Sequence, residues 1–360
     1  MVQPSFYIYS FMKLKVLYAI LDWGLGHATR SETIIQNLKN RGADITIASK
    51  GLALNYLQDR FQTLRFLELP DKEVKYSRSG ASWGLLRRSL IQKDLNKKQK
   101  EWTKKLISEN EFDLILSDNV YGVYHDEVQS ILITHQLKPI SPILKQAIAK
   151  EIANWINCFH EVWIPDFGED GIAGSLLQNP RVTIPKKFLG NISRFKNEPS
   201  EKEINYLGII SGPEPQARLF KDKVLEKFKL QTGRNLIAYS GIKPDNPGKV
   251  EFVAKKENNN LMRFALQSRH LICRSGYTSI LDILKLGGNA LIIPTPGQTE
   301  QEYLARRMNE LGLAKSMSQK AFERWKIQPF EGEKIDEKWG ISNLDSVLDN
   351  LLIAKMPFEE

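Results

Sequence analysis

The sequence predicts two α/β domains, each built on a doubly wound parallel sheet. Three observations carry this. Short apolar runs recur through both halves, and several are apolar without a break, as strands covered on both faces must be. The first two runs are joined by a helical pattern, which makes a β-α-β start. The alternation then breaks at a Pro-, Asn- and charge-rich stretch, QNPRVTIPKKFLGNISRFKNEPSEKE (178–203), and begins again.

The elements follow in order. In the first half the candidate strands are KVLYAIL (15–21), DITIAS (44–49), LRFLELP (64–70), FDLILSD (112–118), SILITH (130–135) and EVWIPD (161–166). Between the first two lies HATRSETIIQNLKNRG, where Ile34, Ile35 and Leu38 share one helical face and Gly42 supplies a stop. The second half offers INYLGII (204–210), NLIAYSG (235–241), VEFVAK (250–255), HLICRSG (270–276), NALIIPT (289–295) and LAKSMS (313–318). The stretch 178–203 reads as a linker, which sets the domains at 1–195 and 196–335. Residues 336–360 hold a closing amphipathic helix, ISNLDSVLDNLLIAKM, expected to pack back on the first domain.

One segment breaks the rhythm. Residues 84–108, GLLRRSLIQKDLNKKQKEWTKKLIS, carry eight basic residues against two acidic ones between Arg87 and Lys105. Leu86, Leu90, Trp102 and Leu106 fall at helical spacing. This reads as a solvated helix face, or as a basic amphipathic helix that contacts an anionic membrane surface or an anionic acceptor.

Composition narrows the partners. Of the 360 residues 42% are apolar and 26% charged, which is ordinary for a globular chain. The net charge of +9 points to anionic partners: nucleic acid, a membrane face, or phosphate-bearing small molecules. Nucleic acid is disfavoured, because the basic residues are not interleaved with an aromatic platform and no DNA-binding motif is present. Cys158 and Cys273 stand far apart, as expected of reduced thiols in a reducing compartment. No apolar run reaches the roughly 18 residues that span a bilayer. MVQPSFYIYSFMK lacks the basic start and small-residue cleavage site of a signal peptide, with Met12 as a candidate start. The expectation is a cytoplasmic protein, one that also associates with the inner face of the membrane if the basic helix is used there.

Two stretches carry chemistry. In LDWGLGHATR (21–30), Gly24 and Gly26 free the backbone after the first strand, and His27 then opens a helix. Open α/β sheets bind ligands at that edge, and helix N-termini there offer unpaired N–H groups. A dinucleotide fingerprint is not met: the third glycine is missing, and Asp44 precedes the second strand instead of ending it. His27 has the ordinary titration range of a general base. Arg30, one turn on, stays beside it or faces solvent. Asp118, at the end of the fourth strand, is the reserve base or else a strand-end cap.

The second stretch is HLICRSGYTSILDILKLGGNALIIPTPGQTEQEYLARRM (270–308). The turn at Ser275 and Gly276 can hold a phosphate through backbone N–H groups and a hydroxyl, with Arg274 beside it. Asp282 can accept two hydrogen bonds from a vicinal diol such as ribose. Gln298, Glu300, Gln301 and Glu302 crowd one helix start, suited to sugar hydroxyls or simply to the helix dipole.

In this order the motifs GLGH, ITHQ, FLGN and CRSGYTSILDILKLGGNALIIPTPGQTEQEYLA resemble the GT-B glycosyltransferases. Among these they resemble the bacterial lipid-linked N-acetylglucosaminyltransferases of peptidoglycan synthesis. The resemblance is strong over 270–308, moderate over 16–42 and weak over 70–110. It implies two Rossmann-like domains facing a cleft, the acceptor in the first and the nucleotide-sugar donor in the second. It further implies Asp282 on the ribose, Ser275 and Gly276 on the diphosphate, and Gln301 and Glu302, with Gln298, on the donor sugar. Gly24, Gly26, Asn119, His135 and Gln136 fall on the acceptor side, and Asn191 at the hinge. Two departures stand out. The family has two glutamines where this chain has Gln301–Glu302. Its glycine-rich loop after the first strand of the second domain is replaced by IISGPEPQARLF (209–220). Ser211 and Gly212 still offer N–H groups there, but Glu214 brings negative charge near a diphosphate.

The implied reaction moves a sugar from a nucleoside diphosphate, a uridine diphosphate by resemblance, to a hydroxyl of a glycan or glycolipid. His27 acts as base, and helix N-termini with Arg274 or Arg194 take the leaving charge. No carboxylate-rich metal site stands out, so neither metal nor other cofactor is expected. The rivals are a nucleotide-sugar hydrolase of the same fold, since some such proteins share a GxGHxxR turn, and a non-catalytic nucleotide-sugar-binding protein.

Overall fold

The computed structural model describes residues 13–70, 81–140, 145–254, 258–287, 289–330 and 335–353. Two parallel sheets organise it. The first contains β1 (Lys15–Ile20), β2 (Asp44–Ser49), β3 (Arg65–Glu68), β4 (Leu114–Asp118), β5 (Gln129–Ile133), β6 (Glu161–Ile164) and β7 (Lys186–Phe188), in the order β3-β2-β1-β4-β5-β6-β7. The second contains β8 (Ile204–Ile209), β9 (Asn235–Ala238), β10 (Glu251–Val253), β11 (Ser268–Cys273), β12 (Ala290–Ile292) and β13 (Lys315–Ser316), in the order β10-β9-β8-β11-β12-β13. The doubly wound α/β architecture expected from the apolar runs is therefore the one observed.

Burial explains the strands. Val16 to Ile20 are all buried, with Val16 level with Ile45 on one side and Leu114 on the other. Helix α1 (Gly26–Asn40) covers one face with Ile34, Ile35 and Leu38. The other face packs Leu17, Ala19 and Ile115 against Leu106 and Trp102 of α3 (Ala81–Glu109). Helices α2 (Gly51–Arg60) and α4 (Lys145–Ile156) complete the first lobe. In the second lobe, Phe220, Val224 and Phe228 of α5 (Gln216–Phe228) pack on Ile237, Ile272 and Leu291. Around it lie α6 (Asn258–Gln267), α7 (Tyr277–Lys285), α8 (Thr299–Glu310) and α9 (Gln319–Arg324). Of the basic segment, Leu86 and Leu90 have side chains outside the described residues.

Two elements differ from the sequence reading. The stretch 178–203 is not wholly a linker: Lys186–Phe188 joins the sheet as β7, beside Val162 to Ile164. Three residues, two of them lysines, leave no apolar run to read, and an edge strand needs none. The predicted strands also ran too long at their carboxyl ends. Residues 69–70, 134–135, 239–241 and 274–276 form the loops at that edge of each sheet.

Those loops matter because each sheet reverses strand order there. In the first, β1 lies between β2 and β4; in the second, β8 lies between β9 and β11. Crossovers leave such a point in opposite directions, so a crevice opens at the carboxyl ends of the two central strands. His27 follows β1 and Asp118 ends β4. Ser211 follows β8 and Ser275 follows β11. The two switch points are held face to face by contacts between the lobes. Asn191 donates from Nδ2 to the Leu281 carbonyl at 3.0 Å and to the Trp339 carbonyl at 2.9 Å. Helix α10 (Leu344–Ile353) returns to the first lobe, where Asp345 and Asp349 accept from Arg41 at 2.8 and 2.9 Å.

Where the returning chain crosses Gly190, that residue sits at φ +67° and bridges Ser342. A Cβ there would stand 2.5 Å from the Ile341 carbonyl oxygen. Gly190→Ala is expected to cost about 1–3 kcal/mol, from left-handed backbone and the clash together. Urea unfolding checks it, and an unchanged midpoint would remove the α10 return from the stability of the fold.

Candidate active site

The site begins where β1 ends. Gly24, at φ +69°, turns the chain, and α1 opens at Gly26 with no side chain capping its first N–H groups and no acid in its first turn. Across the cleft α7 opens at Tyr277 after Gly276, again with no side-chain cap and no first-turn acid. The two helix starts touch: Thr278 Oγ1 donates to the Gly26 carbonyl at 3.1 Å. A Cβ on Gly26 would meet that Oγ1 at 3.3 Å, so glycine here admits the second lobe.

Just inside lies a charge cluster. His27 Nδ1 is 2.8 Å from Asp118 Oδ1. Arg30 donates from Nε to Asp118 Oδ2 at 2.8 Å and from its Nη2 to Oδ1. Ser31 Oγ donates to the same Oδ2 at 2.9 Å and receives the Tyr18 hydroxyl at 3.0 Å. Asp118 is completely buried, and burial alone would raise its titration. The charges of Arg30 and His27, with the hydrogen bonds they make, overcome this and hold it well below the usual carboxylate range. Burial and the Arg30 charge pull His27 below its ordinary value, against the favourable pull of Asp118. An ionised carboxylate only accepts, so the His27 hydrogen sits on Nδ1 and the lone pair is left on Nε2.

The cluster continues across the cleft. Arg30 Nη1 lies 3.1 Å from His135 Nδ1, and His135 Nε2 lies 2.9 Å from Glu300 Oε1 in the second turn-entering residue of α8. A guanidinium only donates and a carboxylate only accepts, so His135 carries its hydrogen on Nε2. Its ring stacks on Tyr277 at 3.9 Å between centroids, and the Tyr277 hydroxyl donates to the Pro165 carbonyl at 2.7 Å.

The remaining predicted residues lie around this core. Asn119, at φ 60°, accepts at Oδ1 from Tyr121 and Thr134; the Gln136 N–H donates to Thr134 Oγ1. Ser275 is buried and spends its hydroxyl on the Gln301 carbonyl at 2.9 Å. Arg274 is buried as well. It donates to the Pro294 carbonyl and Gln319, and lies over the Phe220 ring at 4.0 Å. Burial lowers its pKa to about 10. Arg194 donates to the Tyr56 hydroxyl. Gly276 is open: nothing lies within 4 Å of where a Cβ would be, and the same holds for Gly212 beside Ser211. Glu214 is turned to the Tyr239 hydroxyl at 2.6 Å and to the Arg218 N–H at 3.3 Å, away from the open glycines in its bonding. Asp282 Oδ1 accepts from Ser193 at 2.5 Å. Gln301 and Glu302 accept from the N–H groups of Thr295 and Gly297, and Gln298 is the N-cap residue of α8. Among the described residues no group of three metal-binding side chains occurs.

The sequence leaves Arg30 undecided, groups Glu300 with the polar residues at the start of α8 as suited to sugar hydroxyls or the helix dipole, and assigns nothing to Tyr277 or Thr278. It also offers Asp118 as a reserve base, whereas a buried carboxylate bonded to Arg30, His27 and Ser31 has its lone pairs committed. The partners lie 87 to 252 residues apart in the chain, and no local pattern announces such pairs.

Comparisons with known proteins agree with this architecture. Residues 14–131 match the Glycosyl transferase family 1 model, and residues 213–328 match the Glycosyltransferase family 28 C-terminal domain. No curated protein matches the chain. Among solved structures, CalG4, the calicheamicin glycosyltransferase, superposes with a TM-score of 0.66 at 14% identity, over 96% of this chain and 99% of that one. SnogD from Streptomyces nogalater gives 0.61 at 11% identity, over 96% of each chain. MurG from Acinetobacter baumannii gives 0.51 at 14% identity, over 94% and 91%.

Asp118→Asn leaves the Arg30 guanidinium buried without its anion and is expected to cost about 3–5 kcal/mol at neutral pH. The sign of its pH dependence is fixed. The folded Asp118 titrates below the unfolded carboxyl, whose value is about 3.9, so the unfolded chain takes up the proton first. The stability that Asp118 supplies is therefore present above about pH 4 and fades as pH falls below it. Urea unfolding over a pH series should show the gap between wild type and Asp118→Asn narrowing in acid; a constant gap would contradict the ion pair.

Proposed function

With a GT-B fold and a glycosyltransferase domain match in each lobe, we propose that this chain transfers a sugar from a nucleoside diphosphate to an acceptor hydroxyl, with His27 as the base. The observation that carries the proposal is the His27–Asp118 pair at 2.8 Å, placed at the start of α1 against the uncapped start of α7.

The chemistry follows from that placement. The acceptor hydroxyl lies in the first lobe near His27, bordered by Gly24, Gly26, Asn119 and Gln136. As its oxygen attacks the anomeric carbon, its proton passes to His27 Nε2, and the bond from carbon to diphosphate oxygen breaks. Asp118 keeps the imidazole oriented and favours the imidazolium that forms. The leaving diphosphate gathers charge at the α7 N-terminus, where backbone N–H groups after Gly276 meet it without a side-chain competitor. Gly212 offers a second open stretch of backbone. Ser275 contributes its N–H, since its hydroxyl is committed, and Arg274 contributes long-range charge from its buried seat. Asp282 takes the ribose, and Gln298, Gln301 and Glu302 border the sugar. One displacement with a base on the acceptor inverts the anomeric centre.

We propose a uridine diphosphate sugar as donor and a glycan or glycolipid as acceptor. The basic helix α3, with exposed Lys93, Lys97, Lys98, Lys104 and Lys105, rests on an anionic membrane face from the cytoplasmic side. No helix among the described residues is long and apolar enough to cross a membrane.

The test has two stages. A thermal-shift screen over nucleotide-sugars identifies the donor, because a ligand held by the folded state raises its melting temperature. Diphosphate release is then followed with donor alone and with candidate acceptors. Release that requires an acceptor is the expected result, fast release into water marks a hydrolase, and binding without release marks a non-catalytic protein. His27→Ala should lower turnover by roughly 10²–10⁴-fold; full activity in that variant would end the proposal that His27 is the base.

A further inference from the structure

The base is not assembled by one lobe alone. His27, Arg30, Asp118 and His135 belong to the first lobe, while Glu300 and Tyr277 belong to the second. The Glu300 contact at 2.9 Å therefore closes a continuous chain from α8, through His135 and Arg30, to the carboxylate that orients His27.

The charge of the cluster is informative. The groups acting on His27 are Arg30 on its own helix, Asp118 at the end of β4, His135 after β5 and Glu300 from the second lobe, with Tyr277 of that lobe stacked on His135. Tyr18 and Tyr121 lie behind Asp118. Burial pushes the three phenols up, so they stay neutral. Asp166, behind Tyr277, is enclosed by the N–H groups of Phe167, Ile172 and Ala173. One guanidinium thus faces two carboxylates, Asp118 and Glu300. Arg30 balances Asp118, and the second carboxylate is left over. When His27 gains a proton, the excess is cancelled.

We infer that Glu300 is a positioning residue that acts on His27 from across the cleft, fixing His135 so that His135 fixes Arg30 and supplying the negative charge that balances the protonated base. It follows that the base is fully set only when the donor lobe is docked. A base armed by closure would discourage proton transfer from water in the open cleft, which favours an alcohol acceptor over hydrolysis. This inference rests on the reading of His27 as base, but its main test does not need the reaction.

The chain has five histidines, and NMR titration of their ring signals can be assigned by difference against His27→Gln and His135→Gln. Glu300→Gln keeps the shape and removes the charge. It is expected to lower the His27 midpoint by about 0.5–1 unit and to reduce the Nε2–H form of His135. Glu302→Gln removes a charge from the same helix turn without touching His135, and His27 should hardly respond. An unmoved His27 midpoint in Glu300→Gln, or equal shifts in the two variants, overturns the inference. His135→Asn cuts the chain from the other side. It should make the His27 midpoint insensitive to a further Glu300→Gln change by at least half; a full shift in that background also overturns the relay. On substrate, Glu300→Gln should lower kcat about tenfold with donor KM nearly unchanged, whereas a change confined to KM would make Glu300 a sugar ligand instead. Should His27→Ala retain full activity while Glu300→Gln still moves His27, the coupling stands and the assignment of the base fails.

Discussion

The Arg30–Asp118 ion pair is the constraint on which the site depends. Arg30 is 2% exposed and Asp118 is not exposed at all. A charge removed from water to that degree persists only with a partner and with every remaining donor or acceptor occupied. The bidentate contact meets the first requirement. The second recruits the neighbours: Ser31 and His27 take the remaining lone pairs of Asp118, and His135 takes the remaining face of Arg30. His27 thereby acquires a fixed tautomer as a by-product of satisfying a buried carboxylate. A pair of this kind contributes little net stability compared with an apolar core. It supplies orientation instead, which on the proposed reading is what His27 needs as a base.

The fold places this pair where it has consequences. Strand order reverses at β1/β4 and at β8/β11, so each lobe presents its loops and helix starts at one crevice. The contacts that join the lobes then bring the crevices together: Asn191 onto Leu281 and Trp339, Thr278 onto Gly26, and Glu300 onto His135. Two uncapped helix starts end up against each other across the crevice. Neither carries an acid in its first turn, and the acid nearest the second lobe's loop, Glu214, is engaged by Tyr239. A space with positive partial charge on two sides and little side-chain bulk suits a diphosphate on the proposed reading.

Much of the fold was legible because burial writes itself into the chain. Val16 to Ile20 or Leu114 to Leu116 are apolar since both faces of the sheet are covered, and Ile34, Ile35 and Leu38 repeat at helical spacing since one face is. Edge strand β7 escaped notice because Lys186–Phe188 needs only backbone pairing. For the site, His27 was legible from its seat after a glycine turn at a strand end. What His27 is bonded to was not. Asp118 reads as an acid at a strand end whether it is a base, a cap or an orienting group, and only its distance to Arg30 and His27 separates these. Glu300 reads as a first-turn acid serving the helix dipole. Its reach to His135, 165 residues away, depends on how the lobes dock, and local sequence carries no mark of that.

The second lobe uses its polar side chains in a way that bears on selectivity. Ser275 holds the Gln301 carbonyl, Gln301 holds the Thr295 N–H, and Glu302 holds the Gly297 N–H. These bonds brace the loop between β12 and α8, leaving backbone at Gly276 and Gly212 open. Backbone N–H groups recognise a diphosphate without regard to the sugar attached to it. On the proposed reading, affinity for the donor then comes from the diphosphate, and choice of sugar falls to the lone pairs and amide hydrogens that Gln301 and Glu302 do not spend on their own loop. A carboxylate at position 302 has only acceptors to offer, so it rewards a sugar hydroxyl that donates and penalises any anionic substituent directed at it. The same braced loop carries Glu300 into contact with His135. On the proposed reading, the segment that borders the sugar is therefore also the segment that reaches the base.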